Sequence, residues 1–354
     1  MMENHEENAD VEEDDIVEEY VSTPADLERI RNHYAAVDED GNALDNPAFC
    51  LNIASSSIRN IPHRALHNCR ELTDLRVQHG GGERILLRSI GRSAFWNCKR
   101  LRRINQFLKE GGVIRLEREA FGCCESIEGE LVIPSSIIVL GSECFCDCTS
   151  ITSVVFEPST TGTVVEINYG VFHGCTELSL ATLPPTLECI PRSCFGMCTS
   201  LINNPIPPTV VELGAYAFEM CTSLPSMDLP ESLDVIGKET FFNCTALTTV
   251  TIRTPSFDLQ MGDNIFGRCT ALTTIQMYPW HWGKLLSSMK NDTTFLHKFF
   301  NGTLTPLHQI HLTSWYGARI LESVNNQPSL LYRVLRQFQQ QRFETTDRVD
   351  MIEE

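Results

Sequence analysis

Along this chain a phenylalanine stands three residues before a cysteine, and a leucine or isoleucine stands three residues after it, again and again. The cysteines of the pattern are Cys69, Cys98, Cys124, Cys148, Cys175, Cys198, Cys221, Cys244 and Cys269, spaced 29, 26, 24, 27, 23, 23, 23 and 25 residues apart. Phe95, Phe121, Phe145, Phe172, Phe195, Phe218, Phe241 and Phe266 fill the preceding slot, with Leu66 in the first copy. Leu72, Leu101, Ile127, Ile151, Leu178, Leu201, Leu224, Leu247 and Leu272 fill the following one. Five residues before the aromatic lies another aliphatic, usually followed by Gly or Pro, as in Ile90-Gly91, Leu140-Gly141, Ile190-Pro191, Leu213-Gly214 and Ile236-Gly237. A unit that recurs every 23 to 29 residues this far along a chain is the mark of a stacked repeat architecture.

One copy cannot close a core, because its apolar column faces a single direction and needs a neighbour above and below. Downstream of each leucine, apolar residues alternate in the manner of a short strand, as in Met227 and Leu229 or Val250 and Ile252. A proline such as Pro230 then ends it. Strands of successive copies must lie parallel, about 4.8 Å apart. The expected fold class is therefore an α/β repeat: a right-handed solenoid with one parallel β-sheet face, tight turns or short helical segments on the other face, and a helical C-terminal cap. The longer spacings insert loops, and Gly129 adds a residue within a strand segment, which predicts a β-bulge.

Written out, the unit is I-G-x-x-A-F-x-x-C-x-x-L-x-x-I-x-I-P, best seen in Leu213 to Pro230. It resembles the BspA-type leucine-rich repeats of bacterial and protist proteins over roughly residues 50 to 278. The resemblance implies a leucine-rich-repeat solenoid with roles in adhesion and protein binding. It does not specify a ligand, because members of that family are similar in scaffold while binding different things.

Charge divides the rest of the chain. Residues 1–45 hold 16 acids and 2 bases, net −14, of a total of −18. Residues 59–118 carry 14 bases against 5 acids, and residues 121–277 carry 4 against 17. A run such as Glu12, Glu13, Asp14 and Asp15 repels itself and cannot be buried, so 1–22 reads as an acidic disordered tail. Residues 23–53 read as an N-terminal helix, capped by Thr23 with Pro24 in its first turn, and a degenerate cap. Leu51, Ile53, Ile58 and Ile61 look like a degenerate opening turn behind that helix. The solenoid follows over 54–278, in about nine turns. After Met277 the pattern stops and Trp280, Trp282, Trp315, Phe295, Phe299, Phe300 and Tyr316 appear, so 279–354 reads as an aromatic-rich helical cap. Within it Pro328, Leu330, Leu331, Val334, Leu335 and Phe338 give an amphipathic helix that packs on the end of the stack, or alternatively meets a partner.

Motifs that would carry chemistry have plainer readings. Cys144 and Cys194 share the slot of Ala94, Ala120 and Ala217, so packing accounts for eleven of the fifteen cysteines. Cys144, Cys146 and Cys148 cluster, yet no C-x-x-C pair exists, and no metal site is expected. His63 and His67 have helical metal-ligand spacing without the glutamate of H-E-x-x-H, and His308 and His311 lack an acidic neighbour in sequence. The string His79, Gly80, Gly81, Gly82 copies an esterase oxyanion loop, but no G-x-S-x-G elbow accompanies it. A hydrolase using His79 or His173 would need turnover that is lost on mutating them. Sequons at Asn243, Asn291 and Asn301 read as unused without an export signal.

Binding is therefore expected on the sheet face, where alternate side chains form a ladder between the core positions. Its first end holds Asp74, Arg76, Arg102, Arg103 and Asn105. Its middle and far end hold Thr152, Thr182, Asp228, Thr249, Thr251, Thr274 and Gln276. Arginine presents a planar fork suited to carboxylates or phosphates, which makes Arg76, Arg102 and Arg103 the leading contacts, with Asn105, Thr152, Thr182, Asp228, Thr251 and Gln276 behind them. The function expected is a non-catalytic scaffold, with no cofactor, that binds a protein partner on this face; the alternative is a surface adhesion or carbohydrate-contacting protein. The acidic tail can fold back on the basic first turns, weakened by salt. Nucleic acid is not the expected partner, because the basic segment is short, nearly without aromatics, and borders an acidic body. No apolar run is long enough to span a membrane and the acidic start is no signal peptide, so a cytoplasmic or nuclear location is expected.

Overall fold

The computed structural model describes residues 16–34, 46–78, 85–159, 165–278, 281–289, 291–292 and 305–306. Expected features at His79, the glycine run, Trp280, Trp315, Asn301, His308, His311 and the Pro328 helix fall outside these residues, as do the side chain of Trp282 and the first fifteen residues of the tail.

The chain is a parallel-strand β-solenoid of about nine turns. Its interior is the repeat column. Rings of Phe95, Phe121, Phe145, Phe172, Phe195, Phe218, Phe241 and Phe266 stack at 5.1–6.0 Å between centroids, with planes within 19°. Beside them run the cysteines, buried and free of disulfides. Each thiol does more than fill space: the Cys198 S–H donates to the Phe172 carbonyl of the preceding rung at 3.1 Å, and the seven other thiols from Cys98 to Cys269 repeat this at 3.0–3.2 Å.

The turn that carries phenylalanine and cysteine holds two left-handed residues four positions apart, as at Ser193 (φ 53°) and Met197 (φ 61°). Left-handed backbone costs a residue with a side chain about 1–2 kcal/mol. The gain is a third ladder, because every second N–H then points at the next rung: Ser193 donates to Ala215, Phe195 to Ala217 and Met197 to Glu219, at 3.0, 2.8 and 2.7 Å. The intervening N–H groups close turns within the rung, as from Cys198 to the Phe195 carbonyl at 3.2 Å.

The expected single sheet is interrupted. Val17–Val21, Phe49–Ile53 and Leu72–Val77 pair in parallel, as do Gly129–Ile133, Ile151–Phe156 and Leu180–Thr182, and then Ser226–Leu229, Thr249–Ile252 and Thr274–Met277, the last joined by Thr305–Pro306. The first break holds α2 (Asn105–Glu110), and the second lies at Asn203 to Pro207. Across both, asparagine side chains replace missing strand bonds. Asn203 accepts from the Ala181 N–H at 3.0 Å and donates to the Ala181 carbonyl at 2.8 Å, while Asn204 donates to the Asp228 carbonyl at 2.6 Å.

The aliphatic before Gly or Pro forms a second parallel ladder of two-residue strands, from Asn60–Ile61 to Glu166–Ile167 and from Cys189–Ile190 to Gln260–Met261. Glycine follows because the rungs touch there: a Cβ on Gly214 would lie 2.4 Å from the Arg192 nitrogen. The bulge expected at Gly129 is present, with φ 75° and a register shift, and the extra residue is Thr152 on the opposite strand.

At the N-terminal end, Val17–Val21 is a strand, so the acidic tail as drawn to residue 22 runs too far. Val21 is buried, and the strand pairs residue for residue with Phe49–Ile53, so its backbone bonds outweigh the local charge. Behind it α1 (Pro24–Tyr34) buries Leu27, Ile30 and Tyr34, and Tyr34 stacks on Phe49 at 3.8 Å. The cap differs from expectation. The Asp26 carboxylate accepts the Ser22 and Thr23 N–H groups at 3.0 and 2.8 Å and the Thr23 hydroxyl at 3.1 Å, so Thr23 donates its side-chain bond.

The far end is sealed by α3 (Trp282–Ser288), which buries Leu285 and Leu286. It supplies what a further rung would. The Asn264 N–H donates to the Ser288 carbonyl at 3.0 Å, the Arg268 N–H to the Asp292 carboxylate at 3.0 Å, and the Ser288 hydroxyl to the Gly262 carbonyl.

Candidate functional site

The residues expected to contact a partner sit on the interrupted sheet face, and their neighbours sort them. Arg76 is engaged, holding Glu18 at 3.0 Å and Asp74 at 3.1 Å. Asn105 is engaged too: its side chain donates to the Glu130 carbonyl at 2.7 Å and accepts from the Val132 N–H at 3.0 Å. Asp228 takes both forks of Arg253 at 2.6 Å. Thr251 is half-buried between its register partners Asp228 and Gln276, as Thr249 and Thr274 are nearby. Thr152, Thr182 and Gln276 are exposed.

Arg102 and Arg103 differ from the others. Both are exposed, and among the described residues neither guanidinium has a hydrogen-bond or ion-pair partner. The backbone fixes them on the face, since the Arg102 N–H donates to the Thr73 carbonyl at 3.1 Å and Arg103 bridges to Asp74.

The expected contacts in the middle of the face, Thr152 and Thr182, left out its apolar members. Val155 is the register partner of Thr182 there and Val132 that of Val155, both half-buried and apolar. Beside them Leu180 is 48% exposed, and on the next rung Ile202 is 52% exposed. The Ile202 N–H donates to the Ser179 carbonyl at 3.0 Å, which sets Ile202 against the strand carrying Leu180. A signal existed: the slots that give Arg102 and Arg103 give Ile202 and Leu180 in later copies, and the bulge shifts Val132 into line. The face thus runs from a basic end through an apolar centre to a polar end, the order in which a protein interface combines a dry middle with a charged rim.

Elsewhere the basic segment is neutralised by its neighbours. Arg100 holds Glu71 at 2.6 Å, Lys99 holds Glu125 at 2.6 Å, Lys109 holds Glu157 at 2.8 Å and Arg118 holds Glu143 at 3.0 Å. The spine thiols are chemically quiet: burial pushes Cys69 up to about 12 and Cys148 well above the ordinary thiol range. Among the described residues no cluster of three metal-ligating side chains occurs, and no helix is long and apolar enough to cross a membrane.

Comparison with known proteins gives a consistent picture. Residues 59–201 and 165–280 match the sequence profile of the BspA type leucine rich repeat region, in 6 copies. A solved leucine-rich repeat protein from Bacteroides ovatus is similar, at 26% identity and a TM-score of 0.52, with 64% of this chain and 54% of that chain covered. The T. pallidum leucine rich repeat protein is 26% identical over 44% of this chain and 70% of its own, with a TM-score of 0.39. The match spans about half the length of the Bacteroides ovatus protein. No curated protein matches the chain.

Proposed function

Because the chain belongs to the BspA-type leucine-rich repeat family, we propose that it is a non-catalytic scaffold whose sheet face binds another protein. The observation that carries this reading is the exposed pair Leu180 and Ile202 at the centre of the face, with Arg102 and Arg103, which have no side-chain partner among the described residues, toward its first end. Apolar side chains of that size gain most when a partner covers them, and flanking arginines add oriented bonds to carboxylates. Thr152, Thr182 and Gln276 extend the same surface toward the far end. Arg76, Asp228 and Thr251 shape its edges through their own pairs. A partner with an apolar patch bordered by acidic residues fits this order, and the location that suits it is cytoplasmic or nuclear.

The test compares two variants in affinity capture from native extract, followed by direct binding of what is captured. Leu180→Glu with Ile202→Glu should abolish retention of the specific partner. Arg192→Glu, on the opposite turn face, should leave it intact. Equal retention by both would reject the sheet face as the binding surface. Capture of glycans by the wild-type face would instead favour the adhesion reading.

A further inference from the structure

Cys123 and Cys146 belong to neither repeating cysteine column, so packing does not call for sulfur at either place. The fold nevertheless brings them together from successive rungs. The Cys123 N–H donates to the Cys146 carbonyl at 2.8 Å. With standard bond lengths that bond holds the two Cα atoms within about 6.7 Å, inside the range a disulfide spans. Each thiol also perturbs the other's acidity, as adjacent side chains do. The Cys146 sulfur is held in place over Gly122, where an added Cβ would come within 3.1 Å of it.

The two sulfurs differ in access and in acidity. Cys146 is 6% exposed, whereas Cys123 is half-buried and reachable by small solutes. The neighbouring Cys146 thiol holds the Cys123 thiol below its ordinary range, against burial and the Asp147 carboxylate, to which the Cys123 thiol donates at 3.9 Å. The neighbouring Cys123 thiol, with burial, pushes Cys146 up. An accessible, more acidic thiol beside a buried, less acidic one is the division of labour of a reactive pair. The adjoining spine thiols lack it, since Cys124 and Cys148 are fully buried and donate to the Phe95 and Phe121 carbonyls.

We propose that Cys123 and Cys146 form an oxidation site at which hydrogen peroxide links adjacent rungs by a disulfide. The Cys123 thiolate attacks a peroxide oxygen; the S–O bond forms, the O–O bond breaks, and the departing hydroxide leaves as water with the proton Cys123 gave up. Cys146 sulfur then attacks the Cys123 sulfenic sulfur; the S–S bond forms, the S–O bond breaks, and the hydroxyl leaves as water with the Cys146 proton. Two thiols and one peroxide become one disulfide and two waters. A dithiol reductant reverses the reaction.

The experiment treats the reduced full chain with one equivalent of peroxide, blocks remaining thiols, and digests with a protease that cleaves after glutamate. Cleavage after Glu119, Glu125, Glu143 and Glu157 places Cys123 on residues 120–125 and Cys146 on residues 144–157. In the wild type these two peptides should be linked, and dithiothreitol should release them. Cys146→Ser should lose the link and give a dimedone adduct on 120–125, and Cys123→Ser should give neither. Absence of the link in the wild type would overturn the assignment. So would its persistence in Cys123→Ser, which would transfer the chemistry to Cys124.

Discussion

At the scale of single residues, the repeat turns on what one sulfur atom does. Each spine cysteine from Cys124 to Cys269 fills a small buried slot and also satisfies a phenylalanine carbonyl of the rung before it. The first role was legible from the apolar columns in the sequence. The second was not, because its partner lies 26 residues away for Cys198 and nothing local marks a carbonyl in need of a donor. The two roles separate by substitution. Cys198→Ala loses packing and donor together and should cost about 1–3 kcal/mol in urea unfolding. Cys198→Ser keeps the donor and should cost less than the alanine, whereas a purely hydrophobic slot would reverse that order. A related pattern could have been found by aligning the copies: Trp96, His173 and Phe242 follow the repeat phenylalanine, and each is followed in the next copy by Gly122, Gly196 or Gly267. A Cβ on those glycines would come within 2.4, 2.9 and 2.8 Å of the aromatic or imidazole ring.

At the scale of elements, the main strands and their alternation were legible, and the breaks between them were not. Asn203, Asn204 and Pro205 replace the alternating apolar residues in one copy, which signals the loss of a strand but not what mends it. Asn203 mends it by presenting an acceptor and a donor to the two backbone groups of Ala181. Asn203→Ala should expose both groups and lower stability by about 1–3 kcal/mol. Hydrogen exchange at the Ala181 amide should accelerate, and exchange at Leu213, in the ladder on the other side, should not. The two-residue ladder escaped notice for a different reason: a strand of that length shows no alternation, only an aliphatic and a glycine. Arg102 and Arg103 were legible as exposed residues of the face, whereas the bonds that engage Arg76, Asn105 and Asp228 were not, since most of their partners, Glu18, Glu130, Val132 and Arg253, come from other rungs.

For the whole molecule, stability depends on closing the far end. His281 is buried there, its Nε2 bonded to the Thr254 carbonyl at 3.0 Å, and burial lowers its pKa below the ordinary 6.5. The folded chain therefore binds this proton later than the unfolded chain as pH falls. Its contribution is fully present above 6.5 and declines as pH drops below it. Melting temperatures at pH 7.5 and 5.5 should differ more for the wild type than for His281→Asn; an equal difference would show that His281 does not couple the cap to pH. The seal matters because the turn-side ladder has a direction. Every rung offers carbonyls toward the beginning of the chain and N–H groups toward its end, so two copies could extend it only in single file. With Ser288 and Asp292 already taking the final N–H groups of Asn264 and Arg268, the protein carries its own terminator against growth into a fibre.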